Sequence, residues 1–206
     1  SSTKINFEYE ALGFYLTKHP LQNLKSFLKN NNFITYKEII SSMTNVINSE
    51  KKYFRIVSIP IDKNERTSKK GNRYAYVQFS DFTGNFEAII FSDILSNSSN
   101  LIDNHEPLIL DIEAIKNEGN INFRVQGLMT LQKFLNSMNK NLKLLLDKNA
   151  DIKKIKKNLN FCKTSNGIDI ILQLNINQNV VDLKIPGKFD YFKILNNKID
   201  GTHILN

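Results

Sequence analysis

The sequence is poor in the residues that build disulfide frameworks and metal clusters. It contains one cysteine, Cys162, and only three histidines, His19, His105 and His203. A single cysteine excludes an internal disulfide framework and a thiolate zinc cluster, and it favours a reducing cytoplasmic compartment. The histidines are far apart in the sequence and lack the spacing of metal ligands. We therefore expect a cytoplasmic protein whose chain holds no metal.

Long apolar runs are missing as well. No stretch approaches the roughly 20 apolar residues that a membrane-spanning helix needs, so no membrane partner is expected. The chain begins at Ser1 without a Met and without a charged and then apolar leader. We expect it to be an excerpt from a longer protein.

Sequence motifs of nucleotide transfer, nucleotide binding and serine hydrolysis are absent too. Polymerases transfer nucleotides with closely placed carboxylates that hold two metal ions, and no Asp-x-Asp pair occurs here in a strand context. Neither a Walker loop nor a Gly-x-Ser-x-Gly motif is present. We expect this chain to carry no catalytic residue and no cofactor.

What the sequence has in excess is positive charge. Its formal net charge is +8 and its pI about 9.4, which favours an anionic partner. Part of this excess follows from codon composition, because Lys, Asn and Ile are all abundant and all have A/T-rich codons. The distribution is more informative, since the segment 62–73 alone has a local charge of +3. Its cationic residues are Lys63, Arg66, Lys69, Lys70 and Arg73.

Hydrophobic periodicity divides the chain into three parts. Residues 1–48 have apolar positions at helical spacing and predict a helical lead-in. Residues 49–135 change to the period of two that is typical of strands. The predicted order is three strands, a short helix or coil at 92–102 and two more strands, at 53–61, 73–79, 85–91, 107–115 and 121–129. This is the order of an OB-fold, a five-stranded β-barrel, although fragments of β-sandwiches show the same count.

Residues 141–206 predict a small α+β domain. A strand is expected at 141–146 and a helix at 150–159, with Ile152, Ile155 and Leu159 on its apolar face. A hairpin follows at 168–175 and 179–185. The pattern weakens after Pro186-Gly187.

The cationic segment 62–73 is predicted to be the loop between strands 1 and 2, beside the face on which OB-folds bind oligonucleotides. Lysines and arginines in that place follow phosphates, while aromatic rings stack on bases. Tyr74 and Tyr76 share one side of strand 2, and the opposite side consists of Ala75, Val77 and Phe79. If the latter set faces the barrel interior, the tyrosines face outward. The alternative interpretation is that the tyrosines only cover the sheet and that the charges are only solvated.

Residues outside the segment 62–73 and strand 2 are also assigned roles. Arg55 on strand 1 and Arg124 on strand 5 extend the predicted surface, together with Phe54. Asp81, just before the turn, is expected to accept backbone hydrogen bonds rather than to act as an acid. His19, in "KHPL", is expected to have a structural role at the end of a helix.

Two stretches resemble a known family. "EYEALGFYLTKHPL" (8–21) resembles the E-x-E-x-L-G-x-Y-L-x-x-H-P-L signature that precedes the OB domain in the alpha subunit of bacterial DNA polymerase III. "KKGNRYAYVQFSDFTGNFEAIIFSD" is similar to strands 2 and 3 of that OB domain. The family's K-x-G-x-x-x-A and D-x-[ST]-G-x-x-E elements fall on Lys69, Gly71, Ala75, Asp81, Thr83, Gly84 and Glu87. The segment after Asn141 is similar to the family's C-terminal domain.

The resemblance implies that the chain is the non-catalytic C-terminal part of a replicative DNA polymerase, whose Mg²⁺ would be held in a polymerase core outside this chain. It implies contact with single-stranded template DNA through the OB domain. It also implies binding of the tau subunit of the clamp loader, and of other holoenzyme subunits, in the replisome. Four aromatic or apolar residues near the end of the chain are more than so small a domain obviously needs for its core. They are the predicted tau contacts, unless they complete that core: Phe189, Tyr191, Phe192 and Ile194.

Two other functions stay open. A tRNA anticodon-binding OB module of a class II aminoacyl-tRNA synthetase has a similar OB motif, but it leaves residues 8–21 and the chain after Asn141 unexplained. The chain could instead be a protein-interaction scaffold that binds no nucleic acid, and its positive charge would then follow from codon composition alone. Gln22-Asn23-Leu24 is similar to a clamp-binding peptide and is interpreted as packing.

Overall fold

The computed structural model of the chain describes residues 19–137, 141–165, 167–176, 179–197 and 199–205. The chain divides into two compact units, Ser1–Thr130 and Leu131–Asn206. Residues 8–18 of the signature stretch lie outside the described residues, as does the first part of the predicted helical lead-in. The boundaries 1–48, 49–135 and 141–206 stay predictions. No helix among the described residues is long and apolar enough to cross a membrane.

The first unit contains a closed five-stranded barrel. Its strands pair in the order β1-β2-β3-β5-β4, with β3 and β5 parallel and the other neighbours antiparallel. Helix α3, Ser92–Asp103, links β3 to β4. The five strands and the helical link were all predicted, and their closure in this order is the architecture of an OB-fold. The strands are β1 Lys51–Thr67, β2 Arg73–Asp81, β3 Gly84–Phe91, β4 Leu108–Asn117 and β5 Asn120–Thr130.

Alternation along the strands fills the barrel. In β2, Ala75, Val77 and Phe79 are fully buried and belong to the barrel core, which decides the orientation that the sequence left open. Phe79 and Phe86 stack with their ring centroids 5.6 Å apart. Phe54 is also directed to this core, so its predicted place on the outer surface is wrong.

Strand β1 is longer than predicted. It continues past Pro60 to Thr67 through a register shift between Pro60 and Asp62, where a bulge accommodates a residue that cannot donate a ladder hydrogen bond. The predicted loop 62–73 is therefore mostly strand, and the connection to β2 is only residues 68–72. Gly71 has φ +81°, a conformation that glycine adopts without strain.

From residue 19 onward, where the described part of the chain begins, three short helical segments precede the barrel strands. They are a 3-10 helix, Pro20–Leu24, and two α-helices, α1 Lys25–Asn30 and α2 Tyr36–Met43. Ile39 and Met43 on α2 belong to the barrel core. Leu24 is fully buried, which confirms that the stretch similar to a clamp peptide contributes packing.

The beginning of α2 is held by the turn between β2 and β3. Thr35 and Glu38 form a capping box, which satisfies one N–H of the first turn. Two further N–H groups donate to the barrel: Tyr36 N to Asp81 Oδ2 at 2.7 Å and Lys37 N to Thr83 Oγ1 at 3.1 Å. Helix N-termini leave such donors without intrahelical partners, so the turn completes the cap from 45 residues away.

Asp81 also accepts from its own turn. Its Oδ1 accepts from Thr83 N and Thr83 Oγ1, both at 2.6 Å, and from Gly84 N at 3.0 Å. This confirms Asp81 as a backbone acceptor. A Cβ on Gly84 would lie 2.9 Å from the Tyr36 ring, which explains glycine there. The family element D-x-[ST]-G thus joins α2 to the hairpin.

His19 has the expected structural role. Its Nδ1 accepts from Leu21 N at 3.1 Å and caps the 3-10 helix, so the ring proton lies on Nε2. Nε2 then donates to Ser80 Oγ at 3.0 Å, which ties the segment to β2. Burial lowers the pKa of His19 to about 4.

The stability of the chain should therefore fall in mild acid. Between the folded pKa of about 4 and the ordinary value of 6.5, the unfolded chain binds a proton that the folded chain does not. Stability is thus complete above pH 6.5 and decreases toward pH 4, by about 2 kcal/mol at pH 5. In H19N, asparagine keeps a capping oxygen but does not titrate. Urea unfolding at pH 7.5 and pH 5 should give a smaller pH dependence for H19N, and equal pH dependence in both proteins would contradict this role.

In its described residues, the second unit contains a five-stranded mixed sheet and three helices. The sheet order is β10-β6-β8-β9-β7, with β6 and β8 parallel. The predicted strand, helix and hairpin are confirmed as β6, α5 and β8–β9, and a helix and strand follow where no pattern was found. The elements are α4 Leu131–Ser137, β6 Leu142–Leu146, α5 Ile152–Phe161, β7 Lys163–Thr164, β8 Ile168–Ile176, β9 Asn179–Phe189, α6 Tyr191–Asn196 and β10 Thr202–Leu205.

The core of this unit changes two predictions. Phe189 and Ile194 are buried in it, so their expected place on a partner surface is wrong: they complete the core of a small sheet. Tyr191 and Phe192 are half-buried. Ile155 and Leu159 on α5 are buried as predicted, but Ile152, the first residue of the helix, is 58% exposed.

Candidate nucleic-acid interface

An aromatic surface lies on the outer side of β2 and β3. Because Ala75, Val77 and Phe79 point inward, Tyr74 and Tyr76 point outward. The antiparallel register places Phe91 opposite Tyr74 and Ile89 opposite Tyr76. All four side chains are half-buried, so each presents part of its surface to solvent.

Two arginines extend this surface at either end. Arg66 Cζ lies 5.3 Å from the centre of the Tyr76 ring, and Arg124 Cζ lies 4.6 Å from that of Phe91. Tyr74 lies between, with its ring centre 5.8 Å from Tyr76 and 6.5 Å from Phe91. We call these five residues the aromatic strip. It runs across β1, β2, β3 and β5 in the order Arg66, Tyr76, Tyr74, Phe91, Arg124.

The strip has the chemistry of a single-strand binding platform. Aromatic rings stack on bases of any sequence, and guanidinium groups pair with phosphates and stack on rings. Arg66 and Arg124 are exposed. The structure thus brings together four of the residues predicted for this site, namely Arg66, Tyr74, Tyr76 and Arg124.

Two of the cations predicted for this site form ion pairs with carboxylates of the chain instead. Lys63 Nζ lies 3.0 Å from Glu65 Oε1 and 2.7 Å from Asp103 Oδ1, and its side chain is mostly buried. Arg73 also forms an ion pair with Glu65. The Arg73 guanidinium and the Lys63 ammonium hold the pKa of Glu65 below its ordinary value. Glu65 is already counted in the charge of +3, and Asp103, which lies outside the segment, compensates one further positive charge.

Lys69 and Lys70 remain as charges on the connection between β1 and β2. Both are exposed, and neither has an ion-pair partner in the described part of the chain. The turn therefore presents two exposed cations a few residues before β2, which begins at Arg73 next to Tyr74 of the strip.

Arg55 lies elsewhere on the barrel. It forms a bidentate pair with Asp111, at 2.6 Å from Nε and 3.0 Å from Nη2, between β1 and β4. Its charge is thus compensated by Asp111, which lies opposite Arg55 in the register of β1 with β4 rather than on the strip. In addition, no group of three or more metal-ligating side chains occurs among the residues that the structure describes.

Phe91 and Ile89 were not predicted as site residues. The signal was present, because a two-residue turn fixes which residues of a hairpin face each other. The predicted strands 73–79 and 85–91 leave residues 80–84 as their connection, whereas β2 and β3 are joined by Phe82-Thr83 alone. With that turn, Phe91 falls opposite Tyr74.

Solved structures similar to the chain include OB-fold proteins. A mitochondrial single-stranded DNA binding protein of S. cerevisiae, Rim1, has a TM-score of 0.33 and 14% identity, covering 41% of this chain and 96% of that one. The second OB-fold domain of replication protein A from Methanococcus maripaludis has a TM-score of 0.30 and 11% identity, covering 44% and 92%.

No protein-family model matches the chain, but curated proteins do. DNA polymerase III subunit alpha of Caulobacter vibrioides is 22% identical over 184 residues, which are 88% of this chain and 16% of that protein. The Aquifex aeolicus subunit alpha is 26% identical over 196 residues, again 88% and 16%. That of Buchnera aphidicola (Schizaphis graminum) is 31% identical over 111 residues, 52% and 9%. The chain spans about one sixth of the length of the first two. The predicted resemblance is therefore confirmed: over most of its length, this chain is similar to the bacterial DNA polymerase III alpha subunit.

Proposed function

We propose that this chain is the C-terminal, non-catalytic part of a replicative DNA polymerase, and that its barrel contacts single-stranded template DNA through the aromatic strip. The observation that carries the proposal is the row of three adjacent rings flanked by two exposed arginines. The intact protein would be a cytoplasmic DNA-directed DNA polymerase with its Mg²⁺ in a core outside this chain.

A single strand suits the strip better than a duplex. Unpaired bases expose flat faces to stack on rings, whereas the bases of a duplex are stacked on one another. The similarity to polymerase alpha subunits over most of the chain supports DNA rather than tRNA as the ligand. Equilibrium binding to a single-stranded oligonucleotide, the matching duplex and tRNA tests this. The single strand should bind most tightly, tRNA in first place would favour the anticodon-binding alternative, and no binding at all would favour the scaffold.

The two turn lysines should set part of the salt dependence. Replacing Lys69 and Lys70 with alanine should lower the log–log salt slope of single-strand binding by about 1.4, because each lost phosphate contact removes about 0.7. The matched control is K25A/K29A, which removes the same charge from exposed positions on α1. An equal change of slope in both double variants would show that net charge, rather than the turn, is measured.

We propose in addition that the second unit docks the tau subunit, with a contact surface different from the one predicted. Phe189 and Ile194 are buried, but the end of the β8–β9 hairpin carries exposed apolar side chains, of which Val180 is 63% exposed. The others are Ile176 and Leu183. The register places Ile176 and Leu183 on one face of the hairpin and Val180 on the other, so apolar side chains are exposed on both faces. Exposed apolar residues of this kind commonly contact protein partners.

The hairpin end gives this second proposal a sharp test. V180S/L183S should reduce capture of tau by the chain at least tenfold while it leaves single-strand binding unchanged, because the substitutions lie outside the strip. The control is I47S, which removes an exposed apolar side chain from the first unit. Full capture by V180S/L183S would contradict docking at the hairpin, and no capture by the unaltered chain would contradict tau as the partner.

A further inference from the structure

Helix α5 has a cationic face that neither the strip nor the hairpin uses. Its buried residues, Ile155 and Leu159, lie on the side packed against the sheet. Lys153, Lys157 and Phe161 follow one another at intervals of four residues, so they form a stripe on another side of the helix. All three are exposed, as is Lys156 beside them.

The charges of this face are not compensated. Within the described ranges, Lys153, Lys156 and Lys157 have no ion-pair partner. Other lysines of the same unit do have partners: Lys154 lies 2.6 Å from Asp200, and the sheet lysines Lys143, Lys184 and Lys188 pair with Asp182 and Asp169. Helix α5 itself contains no acidic residue. Its outer face is therefore complementary to an anionic partner.

The presence of Phe161 distinguishes this face from a run of lysines that is only exposed to solvent. Its side chain is 69% exposed and belongs to no core cluster, while Lys193 Nζ lies 5.9 Å from the ring centre. The lysines lie in the first two turns of α5 and none lies in its last turn, so the helix dipole does not account for them. An open ring among cations repeats the combination found on the strip.

We propose that Lys153, Lys156, Lys157 and Phe161 form a second binding surface for single-stranded nucleic acid. The lysines would contact consecutive phosphates and the ring would stack on a base. From residue 153 to residue 161 the helix extends about 12 Å, close to three or four phosphate intervals of a stacked strand at about 3.4 Å each. This goes beyond the proposed function, which assigns DNA to the barrel and a protein partner to this unit.

The test uses the full chain in four forms, with a fluorescent oligo-dT as the probe. The forms are unaltered, Y74A/F91A on the strip, K153Q/K156Q/K157Q on α5, and both sets combined. Whether the strip is unaltered or carries Y74A/F91A, the α5 substitutions should lower the log–log salt slope of oligo-dT binding by about 2, at roughly 0.7 for each lysine. F161A, measured separately, should weaken binding by about 5- to 150-fold. An unchanged slope in both backgrounds would overturn the proposal.

Two controls separate this surface from bulk charge and from the strip. K143Q/K184Q/K188Q removes the same charge from lysines that are already paired, and it should leave the slope near that of the unaltered chain. If poly-glutamate displaces oligo-dT from the Y74A/F91A chain as well as unlabelled oligo-dT does, the nucleic-acid assignment is wrong. If only the α5 set lowers binding, this surface stands and the proposed function of the strip fails.

Discussion

Replacing Tyr74 and Phe91 together with alanine should weaken single-strand binding by about 2–6 kcal/mol, because each ring offers a base a stacking contact of about 1–3 kcal/mol. The two rings are cross-strand neighbours on the outer side of the barrel. Neither belongs to the barrel core, so the fold should persist. Fluorescence anisotropy at fixed salt measures the loss.

The control for this loss is Y53A. Tyr53 is a more exposed tyrosine, 67% accessible, on the β1–β4 side of the same barrel, where its hydroxyl donates to Glu113 Oε2. Its removal should leave the affinity near that of the unaltered chain. If Y53A and Y74A/F91A weaken binding equally, exposed aromatic surface in general, rather than the strip, is responsible.

Replacing Asp81 with alanine should lower the free energy of unfolding by about 3–5 kcal/mol. This buried carboxylate accepts from three backbone N–H groups, those of Tyr36, Thr83 and Gly84. Hydrogen bonds to a charged acceptor contribute about 1.5–3 kcal/mol each and are not additive within one network. Their loss leaves the beginning of α2 without one of its caps.

Urea unfolding of D81A beside D62A measures this effect. Asp62 is an exposed carboxylate on β1, so D62A should change stability by less than about 0.5 kcal/mol. A small loss in D81A would mean that α2 is held to the barrel by its apolar face alone, through Ile39 and Met43.

The sequence predicted those parts of the fold in which pattern and structure have the same physical cause. Strand alternation correctly separated Tyr74 and Tyr76 from Ala75, Val77 and Phe79, and the burial of the latter set decides which side of β2 faces outward. The second half of β1 was missed because residues 62–67 are polar. They form a strand through backbone pairing with β2 rather than through burial of apolar side chains.

The composition of the candidate site depended on contacts that a sequence does not contain. Lys63 and Arg73 were counted as free cations, but Lys63 is two residues from Glu65 on β1, and the pairing of β1 with β2 brings Arg73 to the same carboxylate. Phe189 follows Pro186-Gly187, where the pattern is weak, and it is buried because β9 continues past the glycine to pair with β7 and β8. In both cases the spatial neighbours, rather than the residue types, decided the outcome.

The most direct measurement is an NMR titration of the chain with a short single-stranded oligonucleotide, following backbone amides and aromatic side chains. We expect the largest chemical-shift changes on the outer side of β2 and β3, at Tyr74, Tyr76 and Phe91, with smaller ones at Lys69 and Lys70. Shift changes that spare these residues at saturating oligonucleotide would contradict the assignment of the aromatic strip as the single-strand interface.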